Sequence, residues 1–282
     1  MVTYHKVLTI AGSDCSGGAG VQADLKTFGA LGCYGMSVIT ALTAQNTRGV
    51  EAIHAVPLDF IEKQAQAVFS DIKPDAVKTG MLLSAGIIER VADILKKYKP
   101  PHIVIDPVMV AQSGDPLIDD DAMDAVKRLL LPLADMLTPN IPEASAILNK
   151  RLQSREDIIQ AASELCDLGC KYVLIKGGHA DDPPPAAPSG TVECTDVFLK
   201  KGAQTCSFFS ERRIDTKNNH GTGCTLASAI ASYLAKGKTM EDAVRLAKQY
   251  ITGAIKAGAP YSLGQGHGPV HHYHNLWSPL SR

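Results

Sequence analysis

The chain has 282 residues, with 28 Lys+Arg against 29 Asp+Glu and 45% hydrophobic residues. This near balance removes any global attraction to nucleic acid or to an anionic membrane surface, and no stretch approaches the roughly 18 uninterrupted apolar residues of a membrane span. The length supports a large buried core.

The opening MVTYHKVLTIAGSD holds an apolar run too short for a signal-peptide core. Cysteines stand at 15, 33, 166, 170, 194, 206 and 224, with no CxxC pair. In a chain of this length they predict free thiols in a reducing compartment, hence a cytoplasmic protein.

Strand and helix patterns then alternate. KVLTIAG reads as a buried strand and VQADLKTFGALG as a helix; GMSVITAL is strand and PLDFIEKQAQAVFSDI helix. DAVKTGM, HIVIDP, DMLTPN and KYVLIKGG continue as short apolar strands. AGIIERVADILKKY, DDDAMDAVKRLL, IPEASAILN and REDIIQAASELCDLG are the helices between them. Short apolar runs separated by amphipathic helices predict a mostly parallel sheet covered on both faces, an α/β fold.

After Gly178 the pattern changes. TVECTDVFLK and AQTCSFFSER predict an antiparallel pair at the sheet edge, followed by helices from about 223 and 239. The proline-rich ADDPPPAAPSG before this pair reads as a surface loop. No internal repeat is present, and one domain over 1–282 is expected, with no room for a second catalytic domain.

Ligands of open parallel sheets collect beyond the carboxyl ends of the strands. The sequence places GSDCSGGAG, TAQN, KTGM, DPVM, TPNIPE and KGGH there. These supply Asp14, Gln45, Lys78, Asp106, Asn140, Glu143, Lys176 and His179.

Each motif has a plain structural reading beside the chemical one. Gly18-Ala19-Gly20-Val21-Gln22-Ala23 satisfies G-x-G-x-x-A formally. Its glycines stand well beyond the strand, however, and no acidic residue ends the second strand, which argues against a dinucleotide site. The loop either wraps a small substrate or only connects strand to helix. Asp24 near the start of that helix suits the helix dipole without a ligand.

The P-loop pattern is absent. Gly221-Thr222-Gly223-Cys224 opens a helix, so it either presents unpaired N–H groups to an oxyanion or turns tightly around an inert thiol. Asp106, Asn140 and Glu143 offer the hard oxygens that Mg²⁺ takes, while Asn140 and Glu143 also read as a capping box. Lys176, ending an apolar strand, needs an anionic partner, and a phosphate is a natural one. HHYH at 271–274 is a metal set or an ordinary C-terminal segment.

Taken in order, the glycine loop, Gln45, KTGML, DPVM, TPNIPE, KGGH and GTGC resemble the ribokinase-like superfamily. The resemblance is strongest to its hydroxymethylpyrimidine/phosphomethylpyrimidine kinases of thiamine biosynthesis. TIAGSDCSGGAGVQADLKTF, TALTAQNTRGV, IVIDPVMV and HGTGCTLASAIA all look like that family's motifs, over nearly the whole chain.

The resemblance implies a three-layer α/β/α kinase that uses ATP and Mg²⁺. Such an enzyme phosphorylates 4-amino-5-hydroxymethyl-2-methylpyrimidine, then its monophosphate. Asp24 and Gln45 would hydrogen-bond the aminopyrimidine, with Gly12, Ala19, Met81 and Val108 lining its pocket. Asp106 and Glu143 would organise Mg²⁺. Asn140, Lys176 and Thr216 would face the ATP phosphates, and Gly221, Thr222, Gly223 and Cys224 would form the anion hole. A homodimer is implied in the same way.

Most superfamily members carry an aspartate base where Cys224 stands. A thiol at a helix N-terminus is expected to have a lowered pKa and so to position or deprotonate the acceptor hydroxyl. Asn219, where threonine is common, and the prolines at 183–188 depart from the family pattern. Two other functions remain open: pyridoxal kinase, against which Gln45 and Met81 argue, and a pyrimidine-binding relative without turnover.

Overall fold

The computed structural model describes residues 2–109, 120–177 and 193–277. Its strands are β1 (Lys6–Asp14), β2 (Tyr34–Asn46), β3 (Gly49–Ala55), β4 (Ala76–Thr79), β5 (Ile103–Ile105), β6 (Met136–Leu137), β7 (Tyr172–Ile175), β8 (Glu193–Lys200) and β9 (Ser207–Arg212). Its α-helices are α1 (Gly20–Ala30), α2 (Leu58–Asp71), α3 (Ala85–Tyr98), α4 (Asp120–Ala125), α5 (Ile141–Leu148), α6 (Arg155–Asp167), α7 (Thr222–Ala235) and α8 (Met240–Gly258).

Among the described residues the strands form one sheet in the order β3-β2-β1-β4-β5-β6-β7-β8-β9. The run from β2 to β7 is parallel throughout. The antiparallel pair β8–β9 closes one margin, as the sequence pattern predicts. The other margin differs from expectation: β2 runs on to Asn46 and turns back antiparallel into β3. The residues of β3 are almost all exposed, so it carries no apolar alternation from which to read a strand.

Period-2 alternation along the central strands divides the core. Leu8, Ile10, Val77, Ile103, Ile105, Leu137, Val173 and Ile175 point to one face, where they pack with α2 to α6. Val7, Ala76, Val104, Met136 and Leu174 point to the other, against α1, α7 and α8. Three layers follow directly from strands that are apolar on both sides. The strand order switches direction at β1, which pairs with β2 on one side and on the other with its parallel neighbour β4; β1 leads to α1 on one face and β4 to α3 on the other. The loops leaving these two neighbours diverge and open a crevice at the carboxyl ends of the strands.

Candidate active site

A cleft of about 510 Å³ occupies that crevice. Its lining includes Gly12, Ala19, Gln45, Met81 and Val108, the residues Asp106, Asn140, Glu143, Lys176 and Thr216, and the turn Gly221, Thr222, Gly223 and Cys224. Residues far apart in sequence converge because most stand at or just beyond the carboxyl ends of parallel strands or open α7, while Ala19 caps α1, Glu143 lies in the first turn of α5 and Thr216 follows β9. His179 and the 183–188 loop lie outside the described residues.

Asp24 is the exception. It stands in the second turn of α1, where the helix rotates it inward; it is fully buried and does not line the cleft. Thr9 Oγ1 and Ser228 Oγ each donate to it at 2.6 Å, and Lys78 Nζ lies 3.0 Å from both of its oxygens. In this geometry Asp24 is the buried counter-ion of Lys78. Sequence reading listed Lys78 as a strand-end polar group but missed this pairing, which spans 54 positions.

The charged end of the cleft is built on adjacent strand ends. Asn140 and Lys176 bridge as a parallel pair just beyond β6 and β7. Lys176 Nζ donates to Asp106 Oδ1 at 2.8 Å and lies 3.7 Å from Glu143 Oε2. Asn140 and Glu143 form the capping box of the plain reading, at 2.7 Å in each direction.

Burial alone would raise the Asp106 carboxyl, but the charges of Lys176 and Lys78 and hydrogen bonds from Lys176 and Thr138 hold it below its ordinary value. Glu143 goes the other way: burial, with the neighbouring Asp106 charge, outweighs Lys176 and pushes it up to about 7. Lys176 itself is raised, because Asp106 and Glu143 overcome its burial.

The turn before α7 depends on Gly221, which adopts φ 79°. A Cβ there would overlap the backbone carbonyl of Gly18, so the glycine loop and the turn pack backbone to backbone. Gly221 is the N-cap and has no side chain to cap the helix. Gly223 lies against the charged end, since a Cβ on it would sit 3.2 Å from Lys176 Nζ.

Cys224 departs from the lowered pKa expected of a helix-start thiol. Burial pushes it up to about 11, helped by the Asp24 and Asp106 charges and opposed by Lys78 and the Gly20 N–H. Desolvation therefore exceeds the helix-start effect at this thiol.

A further residue that sequence reading missed is His220, whose Nε2 lies 2.9 Å from Asp14 Oδ2. Its place directly before GTGC, in a turn that must meet the glycine loop, was the available signal. HHYH divides among structural roles: His272 meets Thr225 Oγ1 at 3.1 Å and His274 packs on Tyr250. Among the described residues no group of three or more His, Cys, Asp or Glu is arranged to hold a metal ion, and no helix is long and apolar enough to cross a membrane.

A family model described as phosphomethylpyrimidine kinase matches residues 14–271. The chain is 52% identical over 266 residues to the thiamine biosynthesis bifunctional protein of Geobacter sulfurreducens, covering 94% of this chain and 52% of that protein. It thus spans about half the length of that relative. It is 44% identical to the hydroxymethylpyrimidine/phosphomethylpyrimidine kinase of Escherichia coli, covering 96% of this chain and 98% of the relative. The solved pyridoxal kinase of Staphylococcus aureus in complex with AMP-PCP and pyridoxal matches with a TM-score of 0.85 at 38% identity, over 97% of this chain and 95% of that one.

Proposed function

Because the chain belongs to the phosphomethylpyrimidine kinase family, we propose that its cleft holds an aminopyrimidine alcohol and ATP on either side of Gly221–Cys224 for in-line phosphoryl transfer. The fold is ribokinase-like, and the chain is an ATP-dependent phosphotransferase of thiamine biosynthesis. It phosphorylates 4-amino-5-hydroxymethyl-2-methylpyrimidine to the monophosphate and the monophosphate to the diphosphate.

One observation carries the division of labour. Gly221 packs on Gly18 of the glycine loop and Gly223 lies against Lys176, so the turn opening α7 touches both that loop and the charged end of a cleft that Gly12, Met81, Val108 and Gln45 also line. Gln45 offers a donor and an acceptor together, matching the complementary pair on an aminopyrimidine edge. We assign Asn140, Lys176 and Thr216 to the ATP phosphates, and the N–H groups of Gly221, Thr222, Gly223 and Cys224 to the transferred group. Phosphoryl transfer needs positioning and charge neutralisation more than covalent chemistry.

Mg²⁺ fits the charged end. Among the described residues Asp106 Oδ2 is buried without a hydrogen-bond partner, and Glu143 Oε2 lies 3.7 Å from the same Lys176 Nζ that donates to Asp106 Oδ1. Two carboxylates with phosphate and water oxygens are what this ion takes, so Asp106 and Glu143 would hold it. When bound it neutralises charge on the transferring phosphoryl group. Cys224, protonated at neutral pH, is assigned to positioning the acceptor hydroxyl.

The reading extends to one kinase domain over 1–282, to a homodimer, and to the cytoplasm, the last supported by seven cysteines that form no disulfide. Mass spectrometry of products from the hydroxymethylpyrimidine with Mg-ATP tests the function; mono- and diphosphate are expected, and unchanged substrate overturns it. The likeness to a structure holding pyridoxal favours pyridoxal phosphorylation as a second activity. Parallel ADP-release assays rank the two, and a higher kcat/KM for pyridoxal would reverse the assignment.

A further inference from the structure

Asp14 sits at the centre of the glycine loop and is almost completely buried. Its Oδ1 accepts from the N–H and hydroxyl of Ser16, and its Oδ2 from the N–H groups of Gly18 and Ala19. The Gln45 side chain also helps to hold its carboxyl low. Its remaining partner comes from the opposite wall, where His220 Nε2 lies 2.9 Å from Oδ2.

His220 is itself fixed from behind. Its backbone N–H donates to Gly268 O at 3.0 Å, and a Cβ on Gly18 would overlap its ring. Burial alone would raise the Asp14 carboxyl, yet His220, Ser16, Gln45 and Ala19 hold it well below the usual range, so it is a charged acceptor. Charge-assisted bonds of this kind are the stronger class.

We propose that Asp14 and His220 form a positioning unit that fixes the loop over the acceptor alcohol to the turn over the transferred phosphoryl group. Neither residue exchanges a proton with substrate in this role. Asp14 sets the loop and Gln45. His220, which immediately precedes Gly221, ties Asp14 to the turn, and the spacing between alcohol and phosphate follows. Such spacing governs turnover more than affinity, because misplacement by about 1 Å costs on the order of 10²-fold.

The proposal rests on the kinase reading of the cleft, so its test includes a readout independent of catalysis. In His220→Leu, amide hydrogen exchange should quicken in both residues 15–20 and 221–224 while α2 and α3 stay as in wild type. Exchange unchanged in either segment overturns the unit whatever the substrate. With the pyrimidine and Mg-ATP, kcat should fall about 10²-fold, with Kd for the pyrimidine and for AMP-PCP each within about threefold of wild type. His220→Gln, whose amide can still donate, should recover most of the rate.

Asp14→Asn combined with His220→Leu should be no slower than the slower single variant, as expected of residues that act together. Additive losses, a loss carried wholly by Kd, or a fall in kcat that merely follows Tm would overturn it. Failure of the wild-type protein to phosphorylate the pyrimidine would instead tell against the functional reading, leaving the exchange result to decide the unit.

Discussion

Lys78 Nζ lies 3.0 Å from each carboxylate oxygen of Asp24, and neither side chain has any solvent exposure. The pair joins α1 to β4, and Thr9 of β1 and Ser228 of α7 complete its hydrogen bonds. Removing one member of such a pair leaves a buried charge alone, at a cost of about 3–5 kcal/mol, whereas an apolar replacement of both can be neutral. Asp24→Asn and Lys78→Met should each destabilise by that order in denaturant unfolding. The double variant should lose clearly less than the sum, and an additive loss would refute the pairing.

Cys224 should remain a thiol throughout the physiological range, since burial holds it near 11. Alkylation by iodoacetamide at pH 7.5, followed by mass spectrometry, should therefore label exposed Cys15 well before Cys224. Cys224→Ala should lower kcat, and Cys224→Ser, which keeps a hydroxyl-sized donor, should lower it less. A pH–rate limb near 7 that vanishes in Cys224→Ala would restore the thiolate base.

The legibility of this chain follows the physics of each element. Strands buried on both faces leave short apolar runs, so β1, β4, β5 and β7 could be read, and so could the helices between them. The strand β3 could not, because its pairing with β2 is held by backbone hydrogen bonds while its side chains are exposed. Within the site, strand-end residues such as Gln45, Asp106, Asn140 and Lys176 were legible because topology alone sends them to one crevice.

The pairing of Asp24 with Lys78 was not legible because the orientation of Asp24 depends on how α1 rotates against β1 and α7, which no local pattern records. The pairing of Asp14 with His220 escaped for a related reason: it links positions separated by 206 residues. The Cys224 pKa was misjudged because the helix-start effect is visible in sequence and the depth of burial is not.

Gly221 and Gly223 should respond differently to the same substitution. Gly221→Ala places a Cβ at positive φ against the fixed carbonyl of Gly18. It should disrupt both loops and lower Tm, since strained left-handed backbone and a backbone clash each cost about 1–3 kcal/mol. Gly223→Ala meets only the flexible end of Lys176 at 3.2 Å. It should melt like wild type while weakening kcat/KM for ATP, because the ammonium must move. Equal Tm losses in the two variants would contradict this contrast.

His272 gives the molecule an acid-sensitive point behind the site. Its ring is buried against Thr225 in the first turn of α7, and the Tyr250 hydroxyl donates to its carbonyl. Burial first, then the nearby Lys26 charge and the surrounding imidazoles, lower its pKa from 6.5 to about 3. Below 6.5 the unfolded chain takes up a proton that the folded chain refuses, so the unfolded state binds more protons and stability rises with pH across this interval. The stabilising contribution is complete above about 6.5 and is lost as pH falls toward 3. One such proton corresponds to a slope of up to about 1.4 kcal/mol per pH unit. His272→Gln keeps a polar group near Thr225 without the titration. Between pH 6 and 4 its unfolding free energy should therefore fall less steeply than that of wild type, and parallel pH profiles would show that His272 is not the responsible group.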